Sequence, residues 1–206
     1  MSQNSYFSVV IPVYKATSVL PVLTNRLVSV MQQLNKTYKI IYVEDGSNDE
    51  TWETIATLAQ QNPNILGIKL SKNFGQHHAI TAGLDYANSE WVIVMDCDLQ
   101  DLPEEINKLY QKSCEGYDII FARRNNRTDS YWKKISSGIF YKLYSYLTGI
   151  KYDGTIANFG LYSNKVITTI KNMREPMRAF APMARWVGFS KTIIDVEHGI
   201  RFSGKT

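Results

Sequence analysis

The sequence predicts an α/β fold with a mostly parallel central sheet covered by helices on both faces. Short runs that are apolar at consecutive positions read as strands buried on both sides, and amphipathic segments alternate with them. Size agrees. A chain of 206 residues, 44% hydrophobic and 20% charged, fits one domain with a sizeable core.

Residues 6–13, YFSVVIPV, form the first predicted strand. After a turn near Pro21, Leu20, Leu23, Leu27, Met31 and Leu34 recur at helical spacing. KIIYV (39–43) is the second strand, ended by EDGSNDET, which supplies a turn and an Asp/Thr start for the helix TWETIATLAQQ (51–61). Residues 65–70 are the third strand, SKNFGQ a loop, and HHAITAGLDYA (77–87) a helix. WVIVM (91–95), the fourth strand, runs straight into DCDLQD. Pro103 opens a helix over 103–113 that Gly116 closes, and 117–122 form the fifth strand. The sheet reads as complete by Ala122.

Beyond Arg123 the pattern changes. Lys and Arg thicken (Arg123, Arg124, Arg127, Lys133, Lys134, Lys142) in a chain whose net charge is only +4. A basic half calls for an anionic partner: phosphate, an acidic membrane surface or nucleic acid. Residues 131–150 and 173–189 mix aromatics and methionine with Lys or Arg at helical spacing. Each fits a helix packed on the sheet or one lying at a membrane–water boundary. Cys97 and Cys114 form no C-x-x-C pair, which excludes a structural zinc site and fits a reducing compartment. No basic stretch leads into an apolar run at the start, and no run of about 18 apolar residues occurs. A soluble, cytosolic protein is expected.

In a parallel sheet ligands bind beyond the carboxyl ends of the strands. Those ends are Pro12-Val13-Tyr14, Glu44-Asp45-Gly46, Ser71-Lys72-Asn73 and Asp96-Cys97-Asp98. In an extended DCDLQ, Asp96, Asp98 and Gln100 would face one way and converge on a point. Hard oxygen ligands suit Mg2+ or Mn2+, which commonly also bind substrate phosphates. Asp45 could accept hydrogen bonds from a base or ribose, or serve only a turn. The first strand ends without G-x-G-x-x-G, which argues against a dinucleotide site, and Tyr14 suits stacking on a base or on protein equally.

IPVY, VEDGSNDET, LSKNFGQHHAITAGL, MDCDLQDLPEE and RFSGKT, in this order, closely resemble family 2 inverting glycosyltransferases with the GT-A (Rossmann-like) fold. Within them the likeness is to the polyprenyl-phosphate group typified by dolichol-phosphate mannose synthases. The resemblance covers nearly the whole chain. It implies a single catalytic domain, with residues 1–122 holding a UDP- or GDP-linked sugar. Residues 123–206 would be the acceptor-binding, membrane-proximal half. Pro12, Tyr14 and Asp45 would hold the nucleoside, Asp96 the ribose and sugar, and Asp98 with Gln100 the metal. Arg123 and Lys134 would act on the acceptor phosphate, with Arg124 and Lys133 beside them. Arg201 and Lys205 would clasp phosphates from a late loop. The implied place of action is the cytoplasmic face of the cell membrane, and such proteins often continue into further membrane-associated segments.

Two departures accompany the likeness. The first loop reads VYKAT where the family often has V-Y-N-E, and ANFG puts Asn158 where some members carry an acid. Asn cannot act as a base. An ionised phosphate acceptor needs none, whereas a glycan hydroxyl would, with Asp153 and Glu197 as candidates. A family 2 enzyme with a glycan or other hydroxyl acceptor is the alternative. A third reading starts from GIRFSGKT (199–206), which fits the G-x-x-x-x-G-K-[ST] phosphate loop. Such loops normally open an α/β domain, whereas this one follows five strands. The match is read as coincidental spacing, with Arg201 and Lys205 as side-chain phosphate contacts.

Overall fold

The structure, a computed structural model, describes residues 5–124, 156–173 and 179–199. Strands β1 (Ser5–Val13), β2 (Tyr38–Glu44), β3 (Ile65–Lys69) and β4 (Ser89–Val94) alternate with helices α1 (Leu20–Gln33), α2 (Thr51–Gln61) and α3 (Gln76–Tyr86). A 3-10 turn, Pro103–Glu105, leads into α4 (Ile106–Ser113) and β5 (Ile119–Arg124). Then follow β6 (Ile156–Ser163), α5 (Asn164–Asn172), α6 (Phe180–Trp186) and β7 (Lys191–Val196). The sheet order is β3-β2-β1-β4-β6-β5-β7. β1 pairs parallel with both β2 and β4, β2 parallel with β3, and β5 parallel with β7. β6 runs antiparallel to both of its neighbours.

The sheet therefore is not complete at Ala122: β6 inserts between β4 and β5, and β7 extends the far edge. Interior Asn158 and Gly160 disguise β6, because both residues are poor strand formers. Gly160 is there for space. A Cβ would lie 2.8 Å from the Tyr162 hydroxyl and 2.9 Å from the Ile120 carbonyl oxygen. β7 has Lys191, Ile193 and Asp195 exposed, so it lacks a continuous apolar run.

Side chains alternate across the sheet, so Val9 and Ile11 join one core and Val10 the other. The first core receives Leu20, Leu23, Leu27 and Met31 of α1, Ile55 of α2, and Ile106 and Leu109 of α4. The second receives Ala79, Ile80 and Leu84 of α3, Val166, Ile167 and Ile170 of α5, and Phe180, Met183 and Ala184 of α6. Each fully buried aliphatic side chain contributes about 1.5–3 kcal/mol. α6 is thus a helix packed on the sheet, one of the two readings of 173–189. The segment 131–150 lies outside the described residues, as do Lys133, Lys134, Arg201 and Lys205.

Three devices set the carboxyl edge. Gly83 lets α3 lie close on the sheet, since a Cβ there would be 2.5 Å from Val10 Cγ1 and 2.9 Å from Val43 Cγ2. Asp49 accepts the Thr51 N–H at 3.2 Å at the start of α2. Arg26 of α1 donates to Glu104 Oε1 at 2.8 Å, tying α1 to the turn after the β4 loop. That hydrogen bond chiefly holds the Glu104 carboxyl below its ordinary value of 4.5. The resulting stabilisation is present above pH 4.5 and fades as pH falls through the depressed value. Both partners are substantially exposed, so Glu104→Gln should cost no more than about 1 kcal/mol near neutrality. Melts at pH 7 and pH 3 check this, with the difference from wild type expected to shrink at the lower pH.

Candidate active site at the carboxyl edge

The chain leaves β1 to build β2 and β3 on one side, then returns to place β4 on the other. β1 and β4 thus flank a topological switch point, where divergent loops open a crevice. A cleft of about 380 Å³ lies there, walled by Pro12, Tyr14, Asp45, Gln76, Asp96 and Asp98, with Val13, Asn73, Gly75 and Cys97 between them. Pro12, Tyr14, Asp45, Asp96 and Asp98, all singled out in the sequence, come together in it. The Tyr14 ring is 46% exposed and so available for stacking.

Asp45, 3% exposed at the end of β2, is committed to structure as well as to the cleft wall. Its Oδ1 accepts the Phe74 N–H at 2.8 Å and its Oδ2 the Gly75 N–H at 2.9 Å. The next residue, Gly46, has φ +66°. A Cβ on it would overlap the Lys72 carbonyl carbon and the Asn73 nitrogen. The β2 turn and the β3–α3 loop are therefore packed backbone against backbone. The preceding Glu44 is fully buried, and its Oε1 accepts the Ser47 N–H to close the same turn.

The aspartate loop departs from the expected geometry. Leu99 has φ +62°, so DCDLQ bends instead of running extended, and Asp96, Asp98 and Gln100 do not alternate along one face. Asp96 and Asp98 line the cleft, and Gln100 beside them is half-buried. Its N–H donates to Asp98 Oδ1 at 3.1 Å, and its carbonyl accepts the Gly199 N–H at 2.9 Å. Asp101, 1% exposed, accepts the Asp96 N–H on Oδ2 at 3.2 Å and bridges through its backbone to His198. These bonds hold the bend and set Gly199 against it. Burial, reinforced by Asp96 and Asp98, pushes the Cys97 thiol up to about 12. It stays neutral at physiological pH, and the negative charge of this wall comes from the two carboxylates.

Would these residues fit a divalent ion? Among the described residues no three His, Cys, Asp or Glu side chains gather as a metal cage. Two aspartates in an open cleft are nonetheless a suitable donor set for Mg2+ or Mn2+, which bind through one or two carboxylates and take their remaining oxygens from water and substrate phosphates. The donor set fits.

Arg123 lies at the carboxyl end of β5. β5 is antiparallel to β6, which is antiparallel to β4, so β5 ends on the same edge as the cleft. Two strand spacings separate it from β4, about 10 Å. Between the Phe121–Gly160 and Arg123–Ile156 pairs the register slips, two steps on β5 matching four on β6. Such a bulge re-aims side chains beside a site. The Arg123 guanidinium donates through Nε to Asp195 Oδ1 at 2.6 Å and through Nη2 to Oδ2 at 3.1 Å. Asn158 lies two residues along β6 from Gly160, which pairs with Val94, so the same register carried two residues further sets it level with Asp96. Of Arg124 only the backbone, in β5, is described.

Gln76 escaped the reading of the sequence, which placed Asn73 at a strand end but gave it no role. Gln76 Nε2 donates to Asp96 Oδ1 at 2.6 Å, and Asn73 Oδ1 accepts the Gly75 N–H at 3.1 Å. The available signal was a Gly-Gln at a helix start, facing strand ends that carry acids.

Comparison with known proteins matches this arrangement. Residues 8–173 match the model of glycosyl transferase family 2. An uncharacterized glycosyltransferase of Synechocystis sp. is 40% identical over 97% of this chain and 63% of its own length. The undecaprenyl-phosphate 4-deoxy-4-formamido-L-arabinose transferase of Photorhabdus laumondii is 36% identical over 96% of this chain and 61% of its own. The chain thus spans about three fifths of the length of these curated relatives. In fold it superposes on the mannosyltransferase of Pyrobaculum calidifontis, solved in complex with GDP-Man and Mn2+, with a TM-score of 0.62. That match has 12% identity and covers 96% of this chain and 57% of the other. The mostly parallel sheet with helices on both faces is the GT-A arrangement, and the chain belongs to glycosyl transferase family 2.

Proposed function

We infer that this chain is the catalytic domain of an inverting, metal-dependent glycosyltransferase. It moves a sugar from a nucleotide diphosphate sugar to a polyprenyl phosphate, undecaprenyl or dolichyl, at the cytoplasmic membrane face. The observation that carries the reading is a cleft with Asp45, Asp96 and Asp98 at the switch point, and Arg123 on the same edge, on a strand two spacings (about 10 Å) from β4. The relative that acts on undecaprenyl phosphate supports the acceptor, and the GDP-Man and Mn2+ complex supports the donor and metal.

In this reading Pro12, Tyr14 and Asp45 hold the nucleoside, Tyr14 by stacking. Asp96 faces the ribose and sugar. Asp98, with Gln100, would hold Mg2+ or Mn2+, which when bound neutralises charge on the leaving diphosphate. An oxygen of the acceptor phosphate attacks the anomeric carbon in line. The bond to the nucleotide diphosphate breaks with its electron pair, and configuration inverts. No proton has to be removed, because a phosphate monoester loses its second proton with a pKa of about 6. Catalysis then reduces to positioning and charge, which suits a site carrying Asn158 where an acid could stand. Arg123 grips the acceptor phosphate. Arg124, Lys133 and Lys134 join it, and Arg201 and Lys205 reach the donor phosphates, on sequence grounds alone.

Among the described residues no helix is long and apolar enough to cross a membrane. Contact with the membrane surface in this reading comes through the basic and aromatic acceptor half.

The pair between Arg123 and Asp195 is exposed, at 45% and 41%, and so is easily exchanged for a phosphate dianion. The Arg123 guanidinium holds the Asp195 carboxyl below its usual range, so it is ionised and competes at physiological pH. Asp195→Asn should therefore lower the KM for lipid phosphate by about two- to five-fold and leave the donor KM unchanged. Steady-state kinetics with each substrate varied in turn check this. For the donor half, calorimetric titration of UDP- and GDP-sugars with and without Mn2+ is the test. Metal-dependent binding of one series is expected, and metal-independent or absent binding would contradict the reading.

A further inference from the structure

Three hydrogen bonds cross the cleft from one short segment. Phe74 and Gly75 donate their backbone N–H groups to Asp45, and Gln76 donates its side-chain amide to Asp96. Two carboxylates on two different strand ends are thereby held by three consecutive residues. The backbone contact of Gly46 with Lys72 and Asn73 seats this segment from below.

Gln76 differs from its two neighbours in standing on a rigid element. It is the first residue of α3, whose Ala79, Ile80 and Leu84 are buried and whose Gly83 rests against Val10 and Val43. A donor mounted on a packed helix fixes its acceptor more precisely than one on a loop. Asp96, by contrast, lies beyond the end of β4 in a loop bent at Leu99, and Gln76 ties its carboxylate to a separate, packed element. The anchor is also neutral. A lysine or arginine there would add an opposing charge beside Asp96, whereas an amide orients the carboxylate without adding one.

We propose that Gln76 is a positioning residue for the nucleotide sugar, acting through Asp96: its amide holds that carboxylate in the orientation the donor requires. This rests on the reading of the cleft as a nucleotide-sugar site. A hydrogen bond to a charged group, when lost, corresponds to about ten- to hundred-fold in binding.

The experiment is calorimetric binding of the nucleotide sugar that the wild-type chain selects from a UDP- and GDP-sugar panel, in Mn2+. Gln76→Met keeps the length and removes the donor, and should weaken binding about ten-fold. Gln76→Glu also sets a charge against Asp96 and should weaken it further, toward about a hundred-fold. Gln76 is exposed, so both variants should melt within about 2 °C of wild type, as ordinary surface substitutions do. The discriminating measurement is coupling. In an Asp96→Asn background, Gln76→Met should change donor affinity by less than about two-fold, because the partner it orients has lost its charge.

A Gln76→Met effect of equal size in both backgrounds, or none in the wild-type background, would overturn the proposal while leaving the donor site intact. A wild-type chain that binds no nucleotide sugar would overturn the donor-site reading, and this proposal with it.

Discussion

Asp98→Asn should reduce sugar transfer by about three orders of magnitude, the largest effect expected of any single substitution in the cleft. The carboxylate is half-buried on the cleft wall, and its Oδ1 is already oriented by the Gln100 N–H. Asn keeps the shape but removes the charge, so the site would have one full carboxylate, Asp96, where the proposed metal and diphosphate meet. The loss should appear in turnover and in metal-dependent donor binding together. Excess Mn2+ should restore part of the activity if the substitution acts by weakening the metal. Unchanged turnover would remove Asp98 from the chemistry. The melting temperature should hardly move, because the amide oxygen of Asn can still accept the Gln100 N–H.

Gly46→Ala should produce the largest loss of stability, on the order of 2–4 kcal/mol. Two penalties add. The residue sits at φ +66°, where a Cβ is strained, and the added methyl would overlap the backbone of Lys72 and Asn73. A flexible side chain could move aside, but backbone cannot without shifting the loop. The adjoining Phe74 and Gly75 amides would then leave Asp45, so donor affinity should fall with stability. Thermal melts and donor titrations on the same variant check both. Lost stability with unaltered affinity would separate the loop from the cleft.

Much of the fold was legible because burial on both faces leaves a plain trace. α2 begins at Thr51 and ends at Gln61, as its apolar spacing and acidic start predict, and β1 to β4 fall on the four apolar runs. β6 was not legible. Its centre carries Asn158 and Gly160, and the need for that glycine arises from Tyr162 and the neighbouring strand, a tertiary cause that local pattern does not show. The order of strands was hidden for the same reason. Nothing near Ala122 reveals that a segment more than thirty residues later will separate β4 from β5.

The candidate site divides similarly. Asp45, Asp96, Asp98, Pro12 and Tyr14 could be found because parallel strands bring their carboxyl ends together whatever the loops do. The convergence of Asp96, Asp98 and Gln100 was read from an extended backbone, and the left-handed Leu99 bends that backbone instead. Gln76 was passed over because SKNFGQ is rich in turn formers and reads as a connector. Its partner lies twenty residues away, and only the switch-point geometry makes them neighbours. Arg123 carries a complementary lesson. Its position on the carboxyl edge follows from β6 reversing direction, and its ion pair with Asp195 depends on the parallel pairing of β5 with β7.

The most direct test of the central claim is a transfer assay that offers the chain labelled nucleotide sugar, Mn2+ and two acceptors: polyprenyl phosphate and a glycan with free hydroxyl groups. The account predicts label in the organic phase as a lipid-linked sugar of inverted anomeric configuration, lost in both Asp98→Asn and Arg123→Ala. Label confined to the aqueous glycan, insensitive to Arg123→Ala, would contradict it.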